Sequence, residues 1–145
     1  MAIEVLGRDI NPQAIMDNVY VNLRDAGSVA FLCYLAGAAG DTYTLTEATT
    51  AAGGGAQVLA TITRFHTNTG TGVDAWTERT QAAASTMVTA AAATQNCALL
   101  EVRAEELSAG YDFVKLASTG AGLVTAIMAN LLTQRAPANL PAIGV

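Results

Sequence analysis

Apolar and polar residues alternate with a period of two along most of the chain from residue 18 onward. In Thr42–Glu47, Tyr43 and Leu45 fall on one face and three threonines fall on the other. Val19–Arg24 alternates in the same way, and this period is typical of a β-strand with one buried face. Further strands are expected over the following segments: Gln57–Phe65, Cys97–Arg103, Tyr111–Ala117 and Leu123–Thr133.

Two segments depart from this alternation. Ser28–Leu35 is apolar at nearly every position, which predicts a strand that is buried on both faces. Residues 82–94 are ambiguous, because their alanine runs favour a helix whereas Thr86, Val88 and Thr89 favour a strand. The absence of charge in this segment leaves a helix with no solvated face, so we expect a short strand around Thr86–Ala90.

Turn signals separate these segments at intervals of roughly ten residues. About eight strands so spaced are typical of an all-β antiparallel sandwich or barrel. Tyr111 opens a strand just after Leu107 and Gly110, as in a tyrosine corner, whose phenol binds backbone a few residues upstream. This structural corner would favour Greek-key connections. The run Gly53–Gly55 is expected to form a flexible hairpin loop.

The two chain ends lack a strand pattern but carry apolar residues. Residues 18–135 are expected to form the β-domain, residues 1–17 an N-terminal arm or first strand, and residues 136–145 an extended tail that contains two prolines. Such ends are expected to be docked, either on their own domain or on a partner subunit. For the second alternative, the predicted interface residues are Ile10, Ile15, Trp76, Pro137, Leu140, Pro141 and Ile143.

Composition and charge exclude several functional classes. The chain is 52% hydrophobic and 13% charged, and its seven basic residues are scattered singly within a net charge of −5. No basic stripe for nucleic acid is present, no apolar run reaches the length of a membrane span, and no export signal is expected. Cys33 and Cys97 lie in apolar strands and are expected to be buried thiols, although the spacing alone leaves their pairing open.

Candidate catalytic and metal-binding residues do not form a recognisable set. The single histidine, His66, is expected at a strand end, without a nucleophile elbow or triad pattern. Glu105–Glu106 is the only adjacent acidic pair and is expected in a corner rather than at a calcium ion. Gly53–Gly55 lacks the Gly-Lys-Ser/Thr that completes a phosphate-binding loop. Trp76 either covers the core or serves as a binding anchor. We therefore predict no enzyme activity, cofactor or metal.

Four groups of segments resemble small virion proteins of tailed bacteriophages that are often encoded near the major capsid protein. They are Thr42–Ala48, Ala75–Thr77 with Thr80–Ala83, Leu107–Leu116, and Gln134–Pro141. The resemblance implies a β-sandwich or β-barrel decoration (cement) protein that binds the outside of the capsid and stabilises the shell. Its implied partners are the major capsid protein and other copies of itself, with a trimer as the expected oligomer. It implies a place on the virion surface, after a stage in the host cytoplasm, and transfers no individual functional residues.

Two other functions remain open at the level of sequence. The first is a tail-tube, neck or fibre-base subunit of the particle, in which the Gly53–Gly55 loop would form the tip of a long hairpin used for stacking. The second is a carbohydrate- or cell-surface-binding β-sandwich module that uses Trp76 and Tyr43.

Overall fold

The alternating segments form β-strands throughout the computed structural model, which describes residues 5–15 and 19–145. The described part contains eleven strands and three single 3₁₀ turns, at Ala93–Gln95, Ala104–Glu106 and Pro137–Asn139. The strands are β1 (Ile10–Ile15), β2 (Val21–Asn22), β3 (Ala26–Tyr34), β4 (Asp41–Ala48), β5 (Gln57–Val58), β6 (Ile62–Asn68), β7 (Thr77–Ala84), β8 (Thr86–Thr89), β9 (Cys97–Arg103), β10 (Phe113–Ser118) and β11 (Leu123–Leu131).

The strands assemble into two antiparallel sheets that form a β-sandwich. The first sheet has six strands in the order β1-β11-β3-β9-β6-β7. The second has five strands, in the order β2-β10-β4-β5 with β8 also paired to β4. The chain crosses between the sheets at every step from β7 to β11. The predicted all-β antiparallel fold is confirmed, and of its two alternatives the structure has the sandwich rather than the barrel. The described strands number eleven rather than about eight.

The core lies between the two sheets and is formed by the inward faces of the alternating strands. Phe31, Tyr43, Leu45 and Leu116 are among its largest fully buried side chains. Burying a side chain of this size contributes about 1.5–3 kcal/mol relative to exposure. The three threonines of β4 occupy its opposite, half-exposed face, as the alternation predicts.

One predicted strand is two strands in the structure. Residues 57–65 contain β5, in the second sheet, and the beginning of β6, in the first. The chain crosses between the sheets near Leu59, which is buried and donates its N–H to the carbonyl oxygen of Leu45 at 3.0 Å. Alternation continues through this crossing because both sheets face one core, so the pattern does not show that the chain changes sheets.

Strands at the edges of the sheets account for the other differences. β2 covers only two residues of the predicted strand Val19–Arg24, because its pairing with β10 has two residue pairs. β7 was not predicted, because none of its residues is buried and its sequence therefore carries no alternation. In the ambiguous segment 82–94, the predicted short strand is confirmed as β8.

Tyr111 does not form the predicted tyrosine corner. Its phenol donates to the carbonyl oxygen of Gly55 at 3.1 Å, in a different loop, rather than to backbone a few residues upstream. That loop is not a free glycine tip, because Thr49 N–H donates to the Gly54 carbonyl at 2.9 Å and Gly54 N–H donates to Thr50 Oγ1 at 2.8 Å. The side chain of Tyr111 thus joins two loops at one end of the sandwich.

Both described chain ends are docked on their own domain. In the tail, Ile143 is 3% exposed within the core, and its carbonyl accepts a 2.7 Å hydrogen bond from Asn22 N–H. Asn11 Nδ2 donates to the Pro141 carbonyl at 3.3 Å, which joins the two ends. The N-terminal segment supplies the first strand, β1, which pairs with β11, while residues 1–4 and 16–18 lie outside the described part.

A buried carboxylate, Glu47, fixes the loops beside β4. Its Oε1 accepts a 2.6 Å hydrogen bond from Gln57 Nε2, and its Oε2 accepts a 2.8 Å bond from Ser108 N–H. Burial alone would raise the pKa of Glu47, but the hydrogen bonds from Gln57 and Ser108 outweigh burial and hold this pKa below its ordinary value of 4.5.

Removing the buried side chain of the tail should destabilise the domain. We expect Ile143→Ala to lower the free energy of unfolding by about 2–4 kcal/mol, because it leaves a cavity in the core. Leu132→Ala is the matched control, since Leu132 is exposed, and it should cost less than about 0.5 kcal/mol. Guanidinium denaturation followed by circular dichroism measures both. Equal midpoints for the two variants would contradict the docking of the tail.

The Glu47 carboxylate should make stability depend on acid pH. A carboxyl whose pKa is depressed on folding stabilises the fold above its unfolded pKa, and this stabilisation is lost as the pH falls through the lower folded pKa. We expect Glu47→Gln to cost about 1–3 kcal/mol at pH 7, because one of the two partly buried hydrogen bonds loses its acceptor. Below pH 4 the difference from wild type should shrink. The exposed control Glu105→Gln should show no such convergence in denaturant titrations across this pH range.

Candidate functional site

The face of the six-stranded sheet that points away from the core carries several apolar side chains. Thr125 and Glu101 lie on the same face, opposite Leu32 and Ala30. Directly opposed residues of paired strands share a face. Leu32 of β3 is opposite Leu99 of β9, Tyr34 is opposite Leu123 of β11, and Ile127 of β11 is opposite Ala30 of β3. The five larger side chains of this set form the apolar face: Leu32, Tyr34, Leu99, Leu123 and Ile127.

Two of the five side chains of the apolar face are exposed to solvent. Leu123 is 71% exposed and Tyr34 is 39% exposed, and the other three side chains are half-buried. The prediction that the strand over Ser28–Leu35 is buried on both faces is therefore wrong. Its inward residues are buried by the second sheet, whereas no described segment buries its outward residues to the same degree.

At one edge, β1 extends the apolar face. Pro12 is opposite Ile127, and Ala14 is opposite Thr125, so both exposed side chains lie on the outward side. The predicted interface residue Ile10 is half-buried on this same side, opposite Ala129.

At the other edge, charged side chains of β6, β7 and β9 border the apolar face. Arg64, His66, Glu101 and Arg103 line a groove of about 450 Å³ on this side of the sheet. Glu78 Oε2 lies 3.8 Å from Arg64 Nη1 and 3.8 Å from His66 Nε2. His66 lies within β6, so the prediction that it stands at a strand end is wrong. Both positive and negative side chains line the groove, so it has no single sign of charge.

The loop between β6 and β7 meets the apolar face at Tyr34. A Cβ added at Gly70 would lie 2.6 Å from Cε2 of Tyr34, so the loop backbone is packed against this ring. The loop is held by Asp74, which accepts hydrogen bonds from the hydroxyl and the N–H of Thr69, and these bonds lower the pKa of Asp74. Trp76, just before β7, is 43% exposed, so the interpretation of Trp76 as a cover for the core is wrong.

The predicted interface residues of the tail separate into two groups. Ile143 belongs to the core, and Leu140 is half-buried beside Gly7. Pro137 and Pro141 are exposed. Ile15, at the other end of the chain, is opposite Val124 and packs against the core. The prediction of a partner interface is therefore wrong for Ile143 and Ile15, which contact their own domain.

The candidate functional residues Glu105, Glu106 and Tyr43 contribute to the structure of the domain. Glu106 Oε2 accepts a 2.7 Å hydrogen bond from Arg103 N–H, and Glu105 lies 3.5 Å from the Arg103 guanidinium, so this acidic pair organises the corner after β9. Tyr43 is 1% exposed, and the prediction that it contributes to a sugar-binding surface is wrong. Within residues 5–15 and 19–145, no three His, Cys, Asp or Glu side chains converge as metal ligands would.

The two cysteines are buried thiols, as the sequence predicts. Burial raises the pKa of Cys97, and the nearby negative charge of Asp74 raises it further, so this thiol stays protonated at neutral pH. Among the described residues, no helix has both the length and the apolar character needed to cross a membrane.

Comparison with known proteins gives no relative from which to transfer a function. No family model matches the chain, and neither the curated proteins nor the solved structures gave a match. The features that bear on function are therefore those of the surface itself. That surface is a β-sheet face with a group of apolar side chains and a border of mixed charge, on a sheet whose other side forms the core.

Proposed function

We propose that this chain is a structural, non-enzymatic virion protein that binds the outer surface of a phage capsid as a decoration (cement) protein and stabilises the shell. Its partners in this proposal are the major capsid protein and other copies of itself. The observation that carries the proposal is the apolar face, a partly exposed group of apolar side chains on the outward side of the six-stranded sheet. The resemblance of the sequence to small phage virion proteins supports the same class of partner.

The apolar face has the physical properties that binding to a shell requires. Transferring apolar area from water contributes about 25 cal/mol per Å², so contacts of the exposed Leu123 and Tyr34 with a capsid subunit would be favourable. Because the face lies on paired strands, little conformational entropy is lost when it binds. Many copies on one shell would then multiply a modest affinity per contact.

The charged border supplies a means of fixing orientation. Arg64, Glu78, Glu101 and Arg103 carry both signs of charge along one side of the apolar face. Charges at the rim of an interface contribute more to orientation and to discrimination between partners than to affinity. A capsid surface with complementary charges would therefore bind this face in one orientation.

The two alternative functions have less support. A tail-tube subunit would need a long stacking hairpin, but the loop at Gly53–Gly55 is a short turn that leads into the two-residue β5. A carbohydrate-binding module would need a set of exposed aromatic side chains, and of the two predicted for it only Trp76 is exposed.

A charge placed within the apolar face should disrupt capsid binding. We expect Leu123→Glu to weaken binding to shells assembled from the major capsid protein by at least about tenfold, which corresponds to roughly 1.4 kcal/mol, because it buries an unpaired carboxylate. Leu123 is largely exposed in the chain, so the variant should fold normally. Co-sedimentation with shells measures the affinity.

Val88→Glu is the matched control, because Val88 is exposed on the outer side of the second sheet, opposite Thr42. It should change the affinity less than about twofold, well under 1 kcal/mol. If Leu123→Glu binds shells as tightly as wild type, or if Val88→Glu weakens binding equally, the apolar face is not the surface that contacts the capsid.

A further inference from the structure

A cleft opens in the six-stranded sheet between β6 and β9. These two strands pair over three residues each, from Asn68 opposite Cys97 to His66 opposite Leu99. Beyond that point β6 continues along β7 and β9 continues along β3, but residues 62–65 and 100–103 do not pair with each other. The groove of about 450 Å³ lies between these two segments, and its volume is within the range of ligand sites.

A bulge in β6 accounts for the separation of the strands. The pairing of β6 with β7 shifts its register between Ile62 and Arg64. A bulge of this kind bends the strand that contains it. β9, in contrast, keeps an unbroken register with β3 from Cys97 to Arg103. One wall of the cleft is therefore a bent strand, and the other wall is a regular strand.

The backbone of the regular wall directs hydrogen-bonding groups into the cleft. In an antiparallel ladder, alternate residues point both backbone groups to the same side. The N–H of Leu35 donates to the Asn96 carbonyl at 2.8 Å, so alternate residues from Asn96 onward bond to β3. Arg103 is not one of them, and its N–H donates instead to Glu106 Oε2 at 2.7 Å. The N–H and C=O of Glu101 therefore face the cleft, where no described strand pairs with them.

The bent wall carries backbone groups of the same kind. His66 is paired with Leu99 and directs its backbone groups toward β9, so Arg64, two residues earlier, directs its own groups into the cleft. Unpaired donors and acceptors along a strand are complementary to another extended backbone, which can pair with them as an added strand. The cleft is thus suited to a peptide segment in extended conformation.

The charges of the cleft favour a basic segment. Arg64 lies 3.8 Å from the carboxylate of Glu78, and Arg103 lies 3.5 Å from that of Glu105, so each guanidinium already faces an acidic group. Glu101 is exposed, and within the described part of the chain its carboxylate forms no ion pair. A residue paired directly opposite Glu101 would share its face of the sheet, where a positive side chain is favourable.

We propose that the cleft between β6 and β9 binds an extended basic peptide segment of another protein. The segment pairs with β9 at Glu101 as an added strand, and it places a lysine or arginine side chain beside the Glu101 carboxylate. Backbone hydrogen bonds supply affinity in this mode, and the side chain opposite Glu101 supplies specificity. The inference depends on the cleft alone and not on the proposed function.

Binding of short model peptides tests both parts of the proposal. The probe is a blocked peptide of alternating threonine and lysine, which as a strand carries all its lysines on one face. We expect it to shift the backbone amide resonances of Arg64 and Glu101 in nuclear magnetic resonance titrations. Replacing its lysines by glutamate should raise the dissociation constant at least about threefold. N-methylation of alternate residues, which removes the ladder donors and keeps the side chains, should abolish binding.

A charge exchange identifies Glu101 as the specificity residue. We expect Glu101→Lys to reverse the preference, so that the threonine–glutamate peptide binds more tightly than the threonine–lysine peptide. Asp9→Lys is the matched control, because Asp9 is exposed and precedes β1 at the opposite edge of the sheet. This control should keep the wild-type preference.

Four results would overturn the proposal: no binding of any of the peptides, equal binding of the N-methylated peptide, shifts confined to the apolar face, or a preference unchanged by Glu101→Lys. None of these results would contradict the proposed capsid binding, because that proposal is carried by the apolar face.

Discussion

The six-stranded sheet has apolar side chains on both faces, but the second sheet covers only one of them. Phe31 and Leu100 face inward and are buried, whereas Leu32 and Leu99 face outward and are half-buried at the centre of the sheet. Covering such apolar area removes it from water, which is favourable. Contiguous apolar patches on a protein surface commonly mark interaction sites. The inward face therefore accounts for folding, and the outward face is the surface that we assign to binding.

Contacts elsewhere in the domain hold the two sheets and their loops in place. Ile143 anchors the tail in the core, β1 completes the edge of the six-stranded sheet, and Glu47 holds the loops beside β4 through partly buried hydrogen bonds. None of these features supplies a reactive group. They restrict the movement of the scaffold, which is what a contact surface needs if binding is not to lose much of its energy to ordering.

Sequence reasoning recovered the elements that have one buried face and missed the features that depend on tertiary context. The strand over Cys97–Arg103 was predicted with its observed bounds, because its inward side chains contribute to the core and alternate with outward ones. β7 left no pattern, since neither of its faces is buried. The apolar residues around Leu32 indicated burial on both sides, but sequence cannot distinguish a face covered within the chain from one covered by a partner. Tyr111 was similarly misread, because its hydrogen-bond partner lies 56 residues away at Gly55.

The most direct test of the account is a count of this protein in purified phage particles by quantitative mass spectrometry, relative to the major capsid protein. The proposed function predicts hundreds of copies in a simple ratio to capsid subunits, because a shell-binding protein occupies a repeated site. A few copies to a few dozen per particle would instead place the protein in the neck or tail. Absence from the particle would contradict the assignment of the apolar face to a virion surface.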